Sequence, residues 1–250
     1  MIKARNLVRK FGDFTAVNNI NLDIKPGEIY GFLGPNGAGK TTTIRMLTGT
    51  LQPSDGNIEI LGMNMKTHEI KIKANIGVVP DEPKMYENLK GSEFIEFIMD
   101  IYEVRKDDAK KRLDEICDAF EIDYLDSFIG DYSHGMKQKL MVASVLMRKP
   151  KIIFLDEPTV GLDAKSAKIL KMLIEKYAHE GATIFMTTHI LEIAEKMCDR
   201  IGIISSGNLI AEGTLEELKS LSKTGEKQSL EDLFLELTGA GELDDIIKEL

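Results

Sequence analysis

The stretch that decides the fold reads Gly34-Pro35-Asn36-Gly37-Ala38-Gly39-Lys40-Thr41. It fits the pattern G-x-x-x-x-G-K-[ST], in which glycines let successive backbone N–H groups point at phosphate oxygens. The apolar run 28–33 predicts a buried strand before this loop, and the segment 41–48 predicts a helix after it. Loop and helix together predict a phosphate-binding site, with Lys40 on the β- and γ-phosphates and Thr41 on Mg²⁺. The alternative is a glycine-rich turn that carries Lys-Thr by chance.

Two acidic residues, Asp156 and Glu157, end a strongly apolar segment more than a hundred residues further along the chain. In a phosphate-loop ATPase, one carboxylate in this position holds Mg²⁺ and a second polarises the water that attacks the γ-phosphate. The pattern therefore predicts Asp156 as a metal residue and Glu157 as the general base. The alternative is that two acids simply end a strand at the surface.

Helical and strand patterns alternate in the second half of the chain, which predicts a mostly parallel sheet with helices on both faces. From about residue 87 to residue 147, apolar residues instead recur at helical spacing, and this predicts an inserted helical subdomain. Later, Thr214 begins a capping-box pattern that predicts a helix. The predicted elements of the second half are a strand over 151–156, a helix over 166–178, a strand over 183–187, a helix over 190–197, a strand over 200–204, a linker over 222–228 and a helical tail from 229.

Composition excludes several functional classes. The net charge of −9 disfavours binding to nucleic acid, because the basic run 110–112 is short and flanked by acids. The two cysteines lack metal-ligand spacing, so we expect free thiols in a reducing compartment. We expect no signal peptide and no membrane-spanning segment, because no apolar run approaches about 20 residues. At a membrane, the protein must therefore act through a partner.

Four further features of the sequence resemble those of one known family. Residues 132–138 read Tyr-Ser-His-Gly-Met-Lys-Gln and resemble the L-S-G-G-Q signature of the ATP-binding cassette (ABC) ATPases. Residues 161–163 read Gly-Leu-Asp and resemble the D-loop of that family. His189, after a predicted strand, resembles its switch histidine, and Phe11 resembles the aromatic residue that stacks on adenine. With the phosphate loop and the acidic pair, these motifs follow the order and spacing of the family over about residues 1–215.

The resemblance implies a fold, a domain arrangement and cofactors. It implies an α/β phosphate-loop NTPase core with an N-terminal antiparallel β subdomain and the inserted helical subdomain. We expect the cassette over 1–220 and a C-terminal helical tail over 221–250. The expected cofactors are ATP and Mg²⁺. The residues expected to bind the nucleotide are Phe11, Gly34, Pro35, Asn36, Gly37, Ala38, Gly39, Lys40, Thr41, Thr42, Ser133, Gly135 and Asp163.

The family mechanism needs two cassettes that pair head to tail, as a homodimer or with a close paralogue. Ser133 and the Gly135 backbone would contact the γ-phosphate in the partner's site, while Asp163 would link the two sites. Glu157, His189 and Lys40 are the expected catalytic residues. Simpler alternatives stay open: Ser133 as a plain helix cap, His189 as an ordinary residue at a helix start and Phe11 as a core residue.

The chain departs from the family pattern at three positions. His134 stands where the first Gly of the signature is usual, and Met136 stands where Gln is usual. Asp81 stands where the Q-loop usually has Gln, so we expect metal residues Thr41, Asp156 and Asp81. The alternative is that Asp81 only forms a turn between two prolines.

These departures and the tail 229–239 resemble the single-cassette branch of exporters for drugs, antibiotics, sodium or polysaccharide. The resemblance implies an ATPase motor that is cytoplasmic, peripheral on the inner face of the membrane and bound to a separate transmembrane permease. A soluble ABC ATPase of the iron–sulfur assembly type is the alternative. A small-molecule kinase does not explain the signature, the D-loop and His189 together. The transported cargo is not encoded in this chain.

Overall fold

The strands form two sheets in the computed structural model, which describes residues 1–220 and 229–238. The predicted linker 222–228 and the residues after 238 lie outside the described part. The strands are β1 (Ile2–Phe11), β2 (Phe14–Ile24), β3 (Ile29–Leu33), β4 (Asp55–Ile60), β5 (Met63–Asn64), β6 (Ile76–Val79), β7 (Ile152–Asp156), β8 (Thr183–Thr188), β9 (Arg200–Ser205) and β10 (Asn208–Gly213).

The first sheet is antiparallel, with the strand order β2-β1-β4-β5. A hairpin joins β1 to β2 and pairs Phe11 with Phe14 across a turn at Gly12 and Asp13. Gly12 has φ +57°, a left-handed conformation that glycine adopts at little cost. This sheet is the N-terminal antiparallel β subdomain that the resemblance implied.

The second sheet has the order β10-β9-β3-β8-β7-β6. Strands β6, β7, β8, β3 and β9 run parallel, and β10 adds an antiparallel edge. The parallel strands are almost wholly buried, as expected for a sheet covered by other elements on both faces. The predicted α/β phosphate-loop fold is confirmed.

Several helices begin at a capping side chain. Ser133 accepts a hydrogen bond from the Met136 amide, and Asp163 accepts one from the Ser166 amide. Thr214 and Glu217 bond each other's backbone N–H groups as the predicted capping box. The helices are α1 (Lys40–Leu47), α2 (Met65–Asn75), α3 (Gly91–Ile101), α4 (Lys106–Phe120), α5 (His134–Leu146), α6 (Ala164–His179), α7 (Leu191–Met197), α8 (Leu215–Ser220) and α9 (Leu230–Thr238).

Two large cores lie on opposite faces of the parallel sheet. One lies towards the antiparallel sheet and contains Phe32, Phe154 and Phe185 from three adjacent strands, all fully buried. Each such side chain stabilises the fold by about 2–3 kcal/mol through burial alone. The other core joins the sheet to α3–α6, so the predicted helical insert shares its apolar interior with the sheet.

The sequence analysis did not predict helix α2 or strand β10. Helix α2 was not predicted because its apolar residues do not keep helical spacing; Ile70 is 85% exposed and the helix is kinked at His68. Strand β10 is a short edge strand whose pairing with β9 depends on a turn at Ser206 and Gly207. No helix in the parts 1–220 and 229–238 has the length and apolarity to cross a bilayer.

Candidate functional site

Four parallel strands bring the predicted site residues to one edge of the sheet. Because β3, β6, β7 and β8 are neighbours and point the same way, their carboxyl ends meet at this edge. The phosphate loop follows β3, Asp81 follows β6, the acidic pair ends β7, and His189 follows β8. Residues far apart in the sequence thus lie at one crevice.

The phosphate loop needs glycine at positions where the backbone meets other backbone. A Cβ on Gly34 would come within 2.4 Å of the Ile204 carbonyl oxygen, and one on Gly39 within 2.5 Å of the Ala16 carbonyl oxygen. Gly39 also has φ +109°, which side-chain-bearing residues rarely adopt. The loop can therefore lie close against β2 and β9 only with these glycines.

The loop leads into α1, whose N-terminus is suited to an anion. The first N–H groups of a helix have no acceptor within the helix, and α1 has no acidic residue in its first turn. Lys40 lies at this end and is 7% exposed; its Nζ donates to the carbonyls of Gly34 (2.7 Å) and Pro35 (3.3 Å). The Lys40 charge and the free N–H donors of α1 thus lie at the same end of the helix, which fits a phosphate group.

Thr187 ties the acidic pair together. Its hydroxyl, fully buried on β8, donates to Asp156 Oδ1 at 2.6 Å and accepts from the Glu157 amide at 3.1 Å. The sequence analysis did not single out Thr187. The signal that could have found it is its register, because Thr187 lies directly opposite Asp156 on neighbouring parallel strands.

Glu157 lies between the Lys40 ammonium group and the His189 imidazole ring. Its Oε1 is 3.4 Å from Lys40 Nζ, and its Oε2 is 2.9 Å from His189 Nδ1. Oε1 is buried and makes no hydrogen bond, because Lys40 directs its bonds to the loop carbonyls; the contact with Lys40 is an ion pair without one. The Glu157 backbone has φ +47°, a strained value for a residue with a side chain. The carboxylate is therefore held beside the phosphate loop with one oxygen free to accept a hydrogen bond.

The three predicted metal residues line a single pocket: Thr41, Asp81 and Asp156. Burial raises the pKa of Asp81, and the negative charges of Asp156 and Glu157 raise it further. In the described residues, no three acidic, histidine or cysteine side chains are grouped as ligands for a metal. The oxygens present nevertheless fit Mg²⁺, which binds one or two protein groups and takes its other ligands from substrate phosphates and water.

Phe11 lies at the other end of the crevice. It is 47% exposed, so it is not the core residue of the alternative interpretation. It lines a pocket together with the phosphate loop and Glu157. The Arg9 guanidinium lies over its ring, 4.4 Å from the centroid. The predicted adenine-contact residue and the predicted phosphate-contact residues thus face the same space.

The signature and D-loop residues do not line this pocket. Ser133 and Gly135 lie at the N-terminus of α5, where the Ser133 hydroxyl accepts from the Met136 amide at 3.2 Å. Asp163 is exposed and caps α6; hydrogen bonds from Ser166 lower the pKa of Asp163 to about 2. The Asp163 carboxylate also lies 3.6 Å from Lys139 Nζ on α5. Within one chain, these residues thus lie outside the pockets that contain the phosphate loop and the acidic pair.

Comparison with known proteins gives one family. The family model described as ABC transporter matches residues 17–160. The chain is 37% identical over 240 residues to the "Probable multidrug ABC transporter ATP-binding protein YbhF" of Escherichia coli (strain K12), covering 95% of this chain and 41% of that protein. It is 38% identical over 225 residues to the bacitracin transport ATP-binding protein BcrA of Bacillus licheniformis, covering 89% of this chain and 72% of that one.

Solved structures give the same result. An ATP-binding subunit of an ABC transporter superposes with a TM-score of 0.90 at 29% identity, covering 95% of this chain and 99% of that chain. A dimeric ATP-binding cassette in a post-hydrolysis state, bound to ADP and phosphate, superposes with a TM-score of 0.77 at 26% identity, covering 86% of this chain and 98% of that chain.

Proposed function

The chain belongs to the ABC transporter family, and from this membership we propose that it is the ATP-hydrolysing motor subunit of an exporter with a separate membrane-spanning subunit. The observation that carries the proposal is the position of Glu157. Its carboxylate lies beside the phosphate loop, between Lys40 and His189, with one oxygen free to accept a hydrogen bond. A carboxylate in this place can take a proton from a water molecule that attacks a bound γ-phosphate.

ATP binding uses groups that lie together at the phosphate loop. Lys40 and the first N–H groups of α1 bind the β- and γ-phosphates, and the Phe11 ring contacts the base. Thr41 and Asp156, with Asp81 beside them, would hold Mg²⁺, which would offset phosphate charge and so favour attack by the oxygen of water.

Hydrolysis breaks the bond between the γ-phosphorus and the bridging oxygen of ADP. The attacking water forms the new bond to phosphorus and loses a proton to Glu157, while the bridging oxygen leaves with the bonding electron pair. Lys40 must turn from its present carbonyl acceptors towards the phosphates, which weakens its ion pair with Glu157. His189 keeps the carboxylate oriented through Nδ1 and contacts the γ-phosphate.

A second cassette completes each site. Ser133 and Gly135 lie outside their own chain's pocket at the N-terminus of α5, as expected for residues that contact the partner's γ-phosphate. The dimeric cassette among the structural neighbours supports this arrangement. Asp163 lies close to the same surface and connects the two sites.

The surface proposed for the membrane subunit is a groove between the sheet and the helical insert. Two adjoining pockets form it and share Thr48, Thr50, Val78 and Met141. Asp81 lies at one end of this groove, so a segment bound there would contact the loop that reaches the metal. Its lining mixes apolar side chains with the basic residues Arg45, Lys73, Lys84 and Arg148 and the acidic residues Asp81, Glu82 and Asp156. The acidic residues line only the pocket that contains Asp81, with the exposed Lys84 at its rim, whereas the charged residues of the other pocket are Lys73 and Arg148. That second pocket fits a short segment with apolar and acidic residues.

The names of the relatives support a role in export. Proteins similar to this chain are named for multidrug, bacitracin and linearmycin transport or resistance. We therefore propose that the chain works on the cytoplasmic face of a membrane and exports a drug-like or antibiotic-like molecule that its membrane subunit selects. No feature of the site favours the soluble iron–sulfur alternative.

The test combines the chain in lipid vesicles with each membrane protein that is encoded next to its gene. We expect Mg²⁺-dependent hydrolysis by the chain alone and faster hydrolysis with the membrane protein. Lys84→Glu should lose the stimulation and keep the basal rate, because Lys84 lies on the groove rim and is exposed. Lys168→Glu, an exposed lysine on α6, is the control and should keep both. Hydrolysis that no neighbouring membrane protein stimulates would contradict the motor role.

A further inference from the structure

A second aromatic side chain, Phe14, lies at the base end of the nucleotide pocket. It is 64% exposed, more than any other phenylalanine among the exposed large apolar residues of the described chain. It lines the pocket that also contains Phe11, the phosphate loop and Glu157. An exposed aromatic ring in water is stabilised when another flat apolar surface covers it.

The hairpin fixes how the two rings lie. Phe11 and Phe14 are directly paired residues on neighbouring antiparallel strands. Side chains of directly paired residues project from the same face of a sheet. A turn of only two residues, Gly12 and Asp13, separates them, so their backbone positions are held rigidly. Both rings therefore project from one end of the hairpin towards the same pocket.

One face of Phe11 is already occupied. The Arg9 guanidinium covers it at 4.4 Å from the ring centroid, and Arg9 Nη1 donates to the Gln52 carbonyl at 2.8 Å. This hydrogen bond anchors the guanidinium, and the guanidinium in turn steadies the ring by a cation–π contact. The Phe11 side chain is nevertheless 47% exposed, so part of its ring remains available to a ligand.

We propose that Phe14 is a second base-binding residue, so that the nucleobase is held by the exposed part of the Phe11 ring and by the ring of Phe14. This inference rests on the proposed function, in which the pocket binds ATP. The hairpin residues that line the pocket are all apolar: Phe11, Phe14 and Ala16. Their side chains contact a base through its flat face and form no hydrogen bonds with its edges. The slot therefore binds purine nucleoside triphosphates as a class, ATP and GTP alike.

The chain offers a direct probe because it contains no tryptophan. Phe14→Trp introduces a single tryptophan at the proposed slot, and a base stacked on an indole ring quenches its fluorescence. We expect ATP and GTP to quench this variant to a similar extent at saturation. Inorganic tripolyphosphate, which has the phosphates and no base, should leave the fluorescence unchanged. The matched control is Phe128→Trp, because Phe128 is 51% exposed and lies in the helical insert; it should not respond.

Kinetics give a second measurement. Phe14→Ala should raise the KM for ATP and for GTP about tenfold at unchanged kcat, as expected from the loss of one base–aromatic contact. Phe14→Tyr should retain the wild-type KM, because a flat ring of the same size remains. A KM for Phe14→Ala equal to that of wild type, with no quenching of Phe14→Trp by ATP, would overturn the slot.

Different results would contradict the base slot and the motor role. If the slot is wrong and the motor role is right, wild type hydrolyses ATP while Phe14→Trp shows no base-dependent quenching. If the motor role is wrong and the slot is right, ATP and GTP quench Phe14→Trp although wild type hydrolyses neither. Quenching by ATP with none by GTP would contradict the inference that the slot does not read the edge of the base.

Discussion

The two halves of the proposed ATP site differ in how complete they are within one chain. In the half built from the phosphate loop, Asp156 and Glu157, the reacting side chains are largely buried and internally bonded, with Lys40 only 7% exposed. The half built from Ser133, Gly135 and the D-loop lies at exposed helix ends, outside the pocket. The first half also matches the family pattern throughout, whereas the second contains the unusual His134 and Met136.

The two halves differ because one contains the groups that react and the other contains the groups that a partner must contact. Groups that react are held by strands of one sheet, whose long-range pairing fixes them before any ligand arrives. Groups that a partner must contact have to be exposed, and their side chains meanwhile cap their own helices. We therefore expect large effects on hydrolysis when the first half is changed. When the second half is changed, we expect effects on hydrolysis that depend on dimerisation.

The largest effect is expected from the base. Glu157→Gln keeps the shape and removes the proton acceptor, so turnover should fall about 10²–10³-fold while ATP still binds. Steady-state hydrolysis and ATP binding by equilibrium dialysis measure the two properties separately. Glu175→Gln, an exposed glutamate on α6, is the control and should behave as wild type. Turnover of Glu157→Gln close to wild type would exclude Glu157 as the base.

A smaller effect on turnover is expected at Thr187. Thr187→Val keeps the shape and removes the hydroxyl that bonds Asp156 and the Glu157 amide, which should cost about 1–3 kcal/mol of unfolding free energy. We also expect kcat to fall about tenfold, because both carboxylates lose their alignment. Urea unfolding and hydrolysis assays measure the two losses.

Thr183→Val is the matched control for that change. Thr183 is also buried on β8, and its hydroxyl donates to the Lys25 carbonyl and accepts from the Gly27 amide, at the opposite end of the strand. It should lose similar stability and keep kcat. Equal kcat losses in both variants would mean that Thr187 acts through general stability alone.

Asp81 tests the position where the Q-loop differs from the family. Asp81→Asn keeps the size and removes a charge, so the Mg²⁺ concentration for half-maximal hydrolysis should change by a few-fold, while nucleotide affinity without metal stays level or improves. Asp81→Gln should retain activity. Overlapping Mg²⁺ titrations of wild type and Asp81→Asn would remove Asp81 from the metal site and leave it as a turn residue.

The smallest effect concerns pH. The pKa of Asp81 is raised by burial and by Asp156 and Glu157, so the folded protein holds a proton on Asp81 more tightly than the unfolded chain does. Stability contributed by the protonated form is therefore lost as pH rises from the ordinary carboxyl value of 3.8 through the raised value. Without nucleotide and metal, Asp81→Asn should melt at a higher temperature than wild type at neutral pH. This difference should shrink as pH falls towards the ordinary carboxyl value of 3.8, and a constant difference would contradict the shift.

The sequence was informative where the determinant is local. A loop such as 34–41 needs its glycines next to one another, and the apolar strands on either side are short, continuous runs. The antiparallel subdomain and the helical insert followed from the family resemblance and from helical spacing. Helix α2 was missed because its apolar residues do not keep helical spacing, and strand β10 was missed because it is a short edge strand.

The candidate site shows the same limit. Lys40, Asp156 and Glu157 could be predicted from motifs, whereas Thr187 is defined by strand register, which no local pattern encodes. The ion pair of Lys40 with Glu157 also depends on the order of β3, β8 and β7 in the sheet. The predicted roles of Ser133, Gly135 and Asp163 concern a second subunit, so they remain predictions.

Complementation between two inactive variants tests the shared site most directly. Lys40→Ala removes a phosphate contact from one half, and Ser133→Asp keeps a good helix cap while placing a negative charge against the partner's γ-phosphate. Each variant alone should be inactive. In a mixed dimer, one site combines an intact phosphate loop from the Ser133→Asp subunit with an intact signature from the Lys40→Ala subunit. An equal mixture should therefore recover about a quarter of wild-type hydrolysis, because half of the dimers are mixed and each has one intact site. An equal mixture with no more activity than its separate components would contradict the account.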